Sequence, residues 1–313
     1  MTNLKIVFLG TSGGMPSRTR SLPSIALRYG ASLLLFDCGE GTQRQMVSAG
    51  VGFKKDFQVF ISHLHGDHVL GLPGLFYSMS MLGREEGVRV YGPPGLARSL
   101  DLMFESCQGA VSFPIEVHEV EGGETACERS RYSVKTASVD HLVDSLAYCF
   151  EERPRQGRML VDKLKEMGLP RGPLWGELQK GRKVNFRGKD IDPRAVTGPR
   201  RRGRKVVYSG DTRPCLSLVE LAQGADVLIH DSSFDQSLEE RADLEGHSTC
   251  VQAAQVAKEA GVERLFLFHI SPRYHDKVDV LLDPARTIFR ASEVPEDLAS
   301  LELRIKEEPV PET

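Results

Sequence analysis

Short apolar runs recur along this chain, and most of them stop at a turn rich in Gly, Asp or His. Leu4–Leu9, Ser32–Phe36, Phe57–Ile61, Val88–Tyr91, Ile115–Glu121, Tyr132–Val139, Leu146–Phe150, Lys205–Tyr208, Asp226–Ile229 and Arg264–Phe268 have the length and the β-branched or aromatic content of strands. Helical spacing falls between them. Helices are predicted over Thr42–Ser48, ahead of Gly50 and Gly52, over the Met-rich run Leu70–Leu82, and from Leu96 to about Phe104. The methionines of Leu70–Leu82 are assigned to the core. Thr249 with Gln252 three residues later matches a capping box, and Ala253, Val256, Ala257 and Ala260 then recur at helical spacing before Gly261. Strands alternating with helices predict a layered α/β domain. Beyond about Asp276 the pattern weakens, and Glu307–Thr313 reads as a frayed polar tail.

One stretch breaks this rhythm. From about 152 to 204, Gly157, Gly168, Pro170, Gly172, Pro173, Gly176 and Gly181 punctuate the chain, and only Met159–Met167 looks helical. Its apolar residues look too few for a core, so it is expected to project as an arm rather than form a domain. Trp175, the one tryptophan, either stacks on a base or pins the arm.

Charge sharpens that picture. The formal net charge is −3, but Arg153–Lys205 holds 17 Lys and Arg against five Asp and Glu, a net of +12 that leaves −15 for the rest. An acidic body with one basic insertion suggests a built-in grip for a polyanion. Composition excludes other classes. Hydrophobic content of 40% describes an ordinary soluble core, and no run approaches the roughly 18 apolar residues of a membrane span. Cys38, Cys107, Cys127, Cys149, Cys215 and Cys250 are scattered without a CxxC pair, which speaks for reduced thiols in a cytosolic protein and against a cysteine-rich zinc site. The opening residues lead straight into a strand rather than a secretory signal.

The candidate chemistry sits at strand ends, where ligands gather in layered α/β proteins. His63, His65, Asp67 and His68 fall within six positions directly after Phe57–Ile61. His141, Asp211 and His269 each follow another strand-like run. Any one histidine alone is more often structural, but together they make seven candidate ligands of the kind zinc takes. Seven is too many for one tetrahedral ion. Two ions sharing a carboxylate fit the count, and such pairs serve phosphoester hydrolysis. Asp37 ends another strand and is either an acceptor behind a ligand imidazole or a turn residue. His247 precedes a helix N-terminus, where an anion is favoured. Residue chemistry alone does not rank it above His230 as a general acid. The Gly10–Gly14 turn allows close backbone approach, and Arg18 and Arg20 in the loop after it are candidate contacts to a substrate backbone.

His63-Leu64-His65-Gly66-Asp67-His68, with Asp37, His141, Asp211 and His269, resembles the signature of the metallo-β-lactamase superfamily. From Gly10-Thr11-Ser12 to Ser271-Pro272-Arg273 the chain more narrowly resembles the ribonuclease Z family, the tRNA 3′-processing endonucleases. Pro16–Ser21, the arm with Gly172-Pro173, and Gly246-His247-Ser248-Thr249 carry that narrower likeness. The resemblance implies a four-layer αβ/βα sandwich spanning 1–313 as a single domain, with 152–204 inserted as a tRNA-binding arm. It implies two Zn2+, one held by His63, His65 and His141, the other by Asp67, His68 and His269, with Asp211 bridging. Hydroxide between the metals would cut precursor tRNA after the discriminator nucleotide, leaving a tRNA 3′-hydroxyl and a trailer 5′-phosphate. Asp67 would accept the proton of the attacking water. His247, helped by Glu245, would protonate the leaving oxygen, Arg273 would hold a phosphate oxygen, and Gly172 and Pro173 would contact tRNA. A cytoplasmic homodimer, with one subunit's arm serving the other's site, completes the expectation. A small-molecule phosphodiesterase could use the same metals but leaves the +12 segment unexplained.

Overall fold

Strands that are apolar on both faces must be covered on both faces. Leu33 and Leu35 point to one side of the Ser32–Phe36 strand and Leu34 and Phe36 to the other, and all four are buried. The computed structural model, which describes residues 2–53, 56–107 and 109–306, meets this demand with two seven-stranded sheets. The first runs Ser300–Leu303, Leu4–Gly10, Ser24–Tyr29, Ser32–Phe36, Asp56–Phe60, Val88–Gly92, Ile115–Glu119. The second runs Ser292–Glu293, Leu265–Phe268, Val227–Asp231, Lys205–Tyr208, Ser145–Glu152, Tyr132–Val139, Thr125–Glu128.

An aromatic seam joins the sheets, with Phe8, Tyr29, Phe36 and Phe60 from the first meeting Tyr132, Tyr148, Phe150, Tyr208 and Phe268 from the second. Helices Thr42–Ser48, Gly71–Met81 and Leu96–Cys107 cover the outer face of the first sheet. Helices Leu216–Ala222, Cys250–Glu259 and Asp279–Ile288 cover the second. The result is the expected four-layer αβ/βα sandwich. Among the described residues, no helix is long and apolar enough to cross a membrane.

Parallel strands at the centre of each sheet set up the site. Ser32–Phe36, Asp56–Phe60 and Val88–Gly92 run parallel, as do Lys205–Tyr208, Val227–Asp231 and Leu265–Phe268. Within each set, C-terminal ends therefore open onto the same edge.

The pattern also misled in places. Ser24–Tyr29 and Thr125–Glu128 are strands that their short, interrupted apolar content did not mark. The region beyond Asp276 is ordered: Asp279–Ile288 is a helix despite Pro284 inside it, and Ser300–Leu303 pairs with the first strand. The tail Glu307–Thr313 lies outside the described residues. Met79 is in the core as assigned, but Met81 is 88% exposed because it falls on the outer face of its helix.

Contacts divide the chain into two compact units, one running to Glu151 and resuming with Lys205–Arg304, the other built on Glu152–Arg204. The expectation that the second lacks a core needs correction. Leu164, Leu169, Leu178, Val184, Ile191 and Val196 bury one another, with Met159, Leu174, Trp175 and Phe186 packed around them. Helices Val161–Glu166, Pro173–Gln179 and Pro193–Val196 and a hairpin of Val184–Phe186 with Lys189–Ile191 carry these residues. The hairpin turns through Arg187 and Gly188, both at positive φ, as a tight two-residue turn requires. Trp175 lies against this small core and donates its Nε1–H to Leu169 O at 3.3 Å, which pins the unit internally. Gly172 and Pro173 are exposed at the start of Pro173–Gln179, with Pro173 in the first turn where its missing N–H costs nothing.

Phe60 stacks between Phe36 and Tyr91, with centroids 5.3 and 4.9 Å away, and is fully buried. Phe60→Ala should lower unfolding free energy by about 3–5 kcal/mol in denaturant titrations.

Candidate metal centre

Several strands that end at the sandwich edge hand over polar groups. Asp56–Phe60 leads through Ile61 and Ser62 to His63, and a turn of helix, Gly66–Val69, then presents Asp67 and His68. Tyr132–Val139 leads to His141, Lys205–Tyr208 to Asp211, and Leu265–Phe268 to His269. These six side chains and His65 converge. His63 Nε2 lies 3.0 Å from His65 Nδ1, which lies 3.3 Å from His141 Nε2. Asp67 Oδ2 is 3.4 Å from His68 Nε2 and 3.3 Å from His269 Nε2. Asp211 Oδ2 sits between the two sets, 3.7 Å from His63 and 3.3 Å from both His68 and His269.

These spacings suit metal ligation. Two donors on one tetrahedral zinc, each about 2.0–2.1 Å from the ion, lie about 3.3–3.4 Å apart. His68 Nε2 and Asp211 Oδ1 are buried with no hydrogen-bond partner, as groups reserved for an ion would be. This donor set fits a divalent metal.

The atoms behind the ligands fix which nitrogen faces inward. Asp37, wholly buried, accepts from Ser62 N at 2.7 Å, Ser62 Oγ at 2.8 Å, Tyr208 Oη at 2.6 Å and His68 Nδ1 at 2.7 Å. Since the Ser62 hydroxyl donates to Asp37, it can only accept from His63 Nδ1, 2.9 Å away. His141 Nδ1 donates to Gly246 O at 2.6 Å. His269 Nδ1 donates to Ser233 Oγ at 2.7 Å, whose own proton goes to Asp231 Oδ1 at 2.7 Å. In all four imidazoles Nδ1 is thereby committed, and Nε2 is the nitrogen that faces the centre. Burial keeps His63 neutral by pushing its pKa well down. Burial alone would raise the Asp211 carboxyl, but the imidazoles of His269 and His68 outweigh it and hold it far below the usual carboxylate range.

His247 differs. Its Nδ1 donates to Asp231 Oδ2 at 2.8 Å, and although burial opposes the charge, that carboxylate lifts the imidazole to about 9. A protonated Nε2 beside the ligands is a proton donor at neutral pH. His230 is fully buried and donates Nδ1–H to Asp231 O at 2.7 Å, away from this cluster. Arg273 is exposed and lies 5.0 Å over the ring of Phe234, itself 6.1 Å from the His247 ring. Glu245 accepts from Arg241 Nε at 2.6 Å, one helical turn back, rather than from His247. Arg18 is exposed. Arg20 is a correction: only 6% exposed, it donates Nη1–H to Thr11 Oγ1 at 2.6 Å and Pro295 O at 2.7 Å, so its charge is spent inside the protein rather than offered to a substrate.

Asp231, Ser62, Ser233 and Tyr208 were not singled out from the sequence. Only Asp231 carried a signal, an acid closing the apolar run Val227–Asp231 as Asp37 closes another.

Comparison with known proteins agrees with this geometry. The profile of the beta-lactamase superfamily domain matches residues 182–270, and that of the anti-Pycsar protein Apyc1 matches 4–143. The chain is 46% identical over 301 residues to ribonuclease Z of Methanothermobacter thermautotrophicus, covering 96% of this chain and 97% of that protein. It is 42% identical to ribonuclease Z of Myxococcus xanthus, covering 98% and 100%. The crystal structure of the short form of human tRNase Z superimposes with a TM-score of 0.69 at 25% identity, covering 96% of this chain and all of that one.

Asp37→Asn replaces one acceptor oxygen with a donor at a point where four donors meet. The apo-protein should then bind Zn2+ roughly 10–100-fold more weakly by calorimetric titration.

Proposed function

We infer the function from one premise: this chain belongs to the ribonuclease Z family. It is a nuclease acting on phosphodiester bonds in tRNA. We propose that it removes the 3′ trailer from precursor tRNA, cutting after the discriminator nucleotide to leave a tRNA 3′-hydroxyl and a trailer 5′-phosphate. The observation that carries this reading is the convergence of seven metal-type ligands, beside a protonated His247, in a chain that also bears the +12 segment.

In this reading His63, His65 and His141 would hold one Zn2+ and Asp67, His68 and His269 the other, and Asp211 would serve both. Bound metal supplies an activated water nucleophile at neutral pH and stabilises the charge that develops on phosphate oxygens. Asp67, kept anionic by His269 and His68 against the pull of burial, accepts the proton of the attacking water. His247 holds a proton at Nε2, because Asp231 occupies Nδ1, and gives it to the departing 3′-oxygen. Arg273 steadies a phosphate oxygen, its guanidinium oriented by Phe234. Glu245 acts only through Arg241 in this arrangement.

The segment 152–204 is the tRNA-binding part. Its surplus of Lys and Arg suits phosphate backbone, and Arg18, Gly172 and Pro173 are exposed for contact. The proposal includes a homodimer in which this segment of one subunit serves the other's centre, supported by the family resemblance. The compartment is the cytoplasm, which suits six cysteines that are all free thiols.

Purified protein should convert a 3′-extended precursor tRNA into two fragments with those ends, and chelator should abolish the reaction. Asp211→Ala should lose cleavage while filter binding of the tRNA persists. Normal cutting by that variant would sink the metal reading. Deleting 155–201 should remove tRNA cleavage and its steep salt dependence but spare hydrolysis of a small chromogenic phosphodiester. Equal loss or retention of both substrates would instead favour a small-molecule phosphodiesterase.

A further inference from the structure

We propose that Asp297 is a positioning residue for the metal centre, acting through the glycine turn at Gly13 and Gly14. The claim rests on the reading of this cluster as a metal site. Asp297 lies in the turn before the last strand, 286 residues from Thr11, yet it closes the neck of the first loop. Its Oδ1 accepts from Thr11 Oγ1 at 2.7 Å, and its Oδ2 accepts from Ser21 N at 2.6 Å and Gln45 Nε2 at 3.0 Å. Thr11 and Ser21 flank the loop, so one carboxylate holds both of its ends. Arg20 bonds the same Thr11 hydroxyl from the other side. The opposite margin is held by the extension of the His269 strand: Ile270 N donates to Thr11 O at 2.9 Å and Gly13 N to Ile270 O at 3.1 Å.

What the neck holds is a backbone pressed onto two ligands. Gly14 N donates to Asp67 Oδ2 at 2.9 Å. A Cβ at Gly13 would fall 2.3 Å from His269 Nδ1, so the bare peptide lies flat against that imidazole. Gly14 has φ of +69°, a conformation that L side chains adopt with strain. Both contacts are to ligands of the Asp67–His68–His269 group. Of the other group, His63 is held by Ser62 and His141 by Gly246 instead. A loosened neck should therefore disturb one metal position and leave the other.

The test titrates Zn2+ alone into apo-protein, wild type against Asp297→Asn, alongside precursor-tRNA kinetics. The expected result is two binding events in which one weakens roughly 10–100-fold and the other is unchanged. KM should hold while kcat falls, and raised Zn2+ should restore part of it. Thr11→Val, which removes the hydroxyl that Asp297 and Arg20 share, should reproduce the pattern and serves as the second variant if Asp297→Asn does not fold. Two unchanged events, or a parallel weakening of both with a lowered apo-protein melting temperature, would overturn the proposal. Because zinc binding is read without substrate, failure of the wild type to cleave precursor tRNA would defeat the functional reading and leave this one to the titration.

Discussion

The carboxylate of Asp37 takes hydrogen bonds from both sheets at once, from Ser62 beyond the Asp56–Phe60 strand and from Tyr208 at the end of Lys205–Tyr208. A charged group with no solvent exposure is tolerable only when its lone pairs are filled, so the two strand ends cannot drift apart without orphaning it. The same oxygen orients His68, and the Ser62 hydroxyl it fixes orients His63. Closure of the sandwich edge and geometry of the candidate metal ligands are thus one hydrogen-bond problem. Asp37 sits at φ of +55°, and such local strain persists where the surroundings over-determine a residue.

Asp231 plays the matching part on the second sheet. It receives Thr212 N, Ser233 N, Ser233 Oγ and His247 Nδ1, and through Ser233 it sets His269. Two buried acids, one per sheet, govern most of the imidazole tautomers. Their roles diverge in one respect. Asp37 orients a ligand, whereas Asp231 also keeps a proton on a histidine that the ligand count does not require.

The basic segment obeys a different balance. Its small apolar cluster holds its helices and hairpin together, while most of its Lys and Arg side chains are exposed, where they cost little and attract phosphate; Arg204 is instead buried against Glu152. Lys180 and Arg182 share Glu177, Lys165 pairs with Asp162 and Lys183 with Asp192, and the surplus of Lys and Arg over Asp and Glu suits a partner of opposite sign.

Strand ends, the His63–His68 cluster and the helix start at Thr249 were legible in the sequence because each depends on neighbours within a few positions. Alternation, capping and ligand crowding are local, and Thr249 with Gln252 forms the predicted capping box. Runs that stop at His or Asp marked His63, His141, Asp211 and His269, which the fold brings to one edge. What only the tertiary structure decided joins residues far apart in the chain. It folded Arg20 inward onto Pro295, gave the segment 152–204 a core from apolar residues without regular spacing, and set Asp231 and Asp297 behind groups they do not adjoin in sequence. A periodic pattern reports which face of an element is buried, but a buried polar group is defined by its partners, and those are known only once the sheets have met.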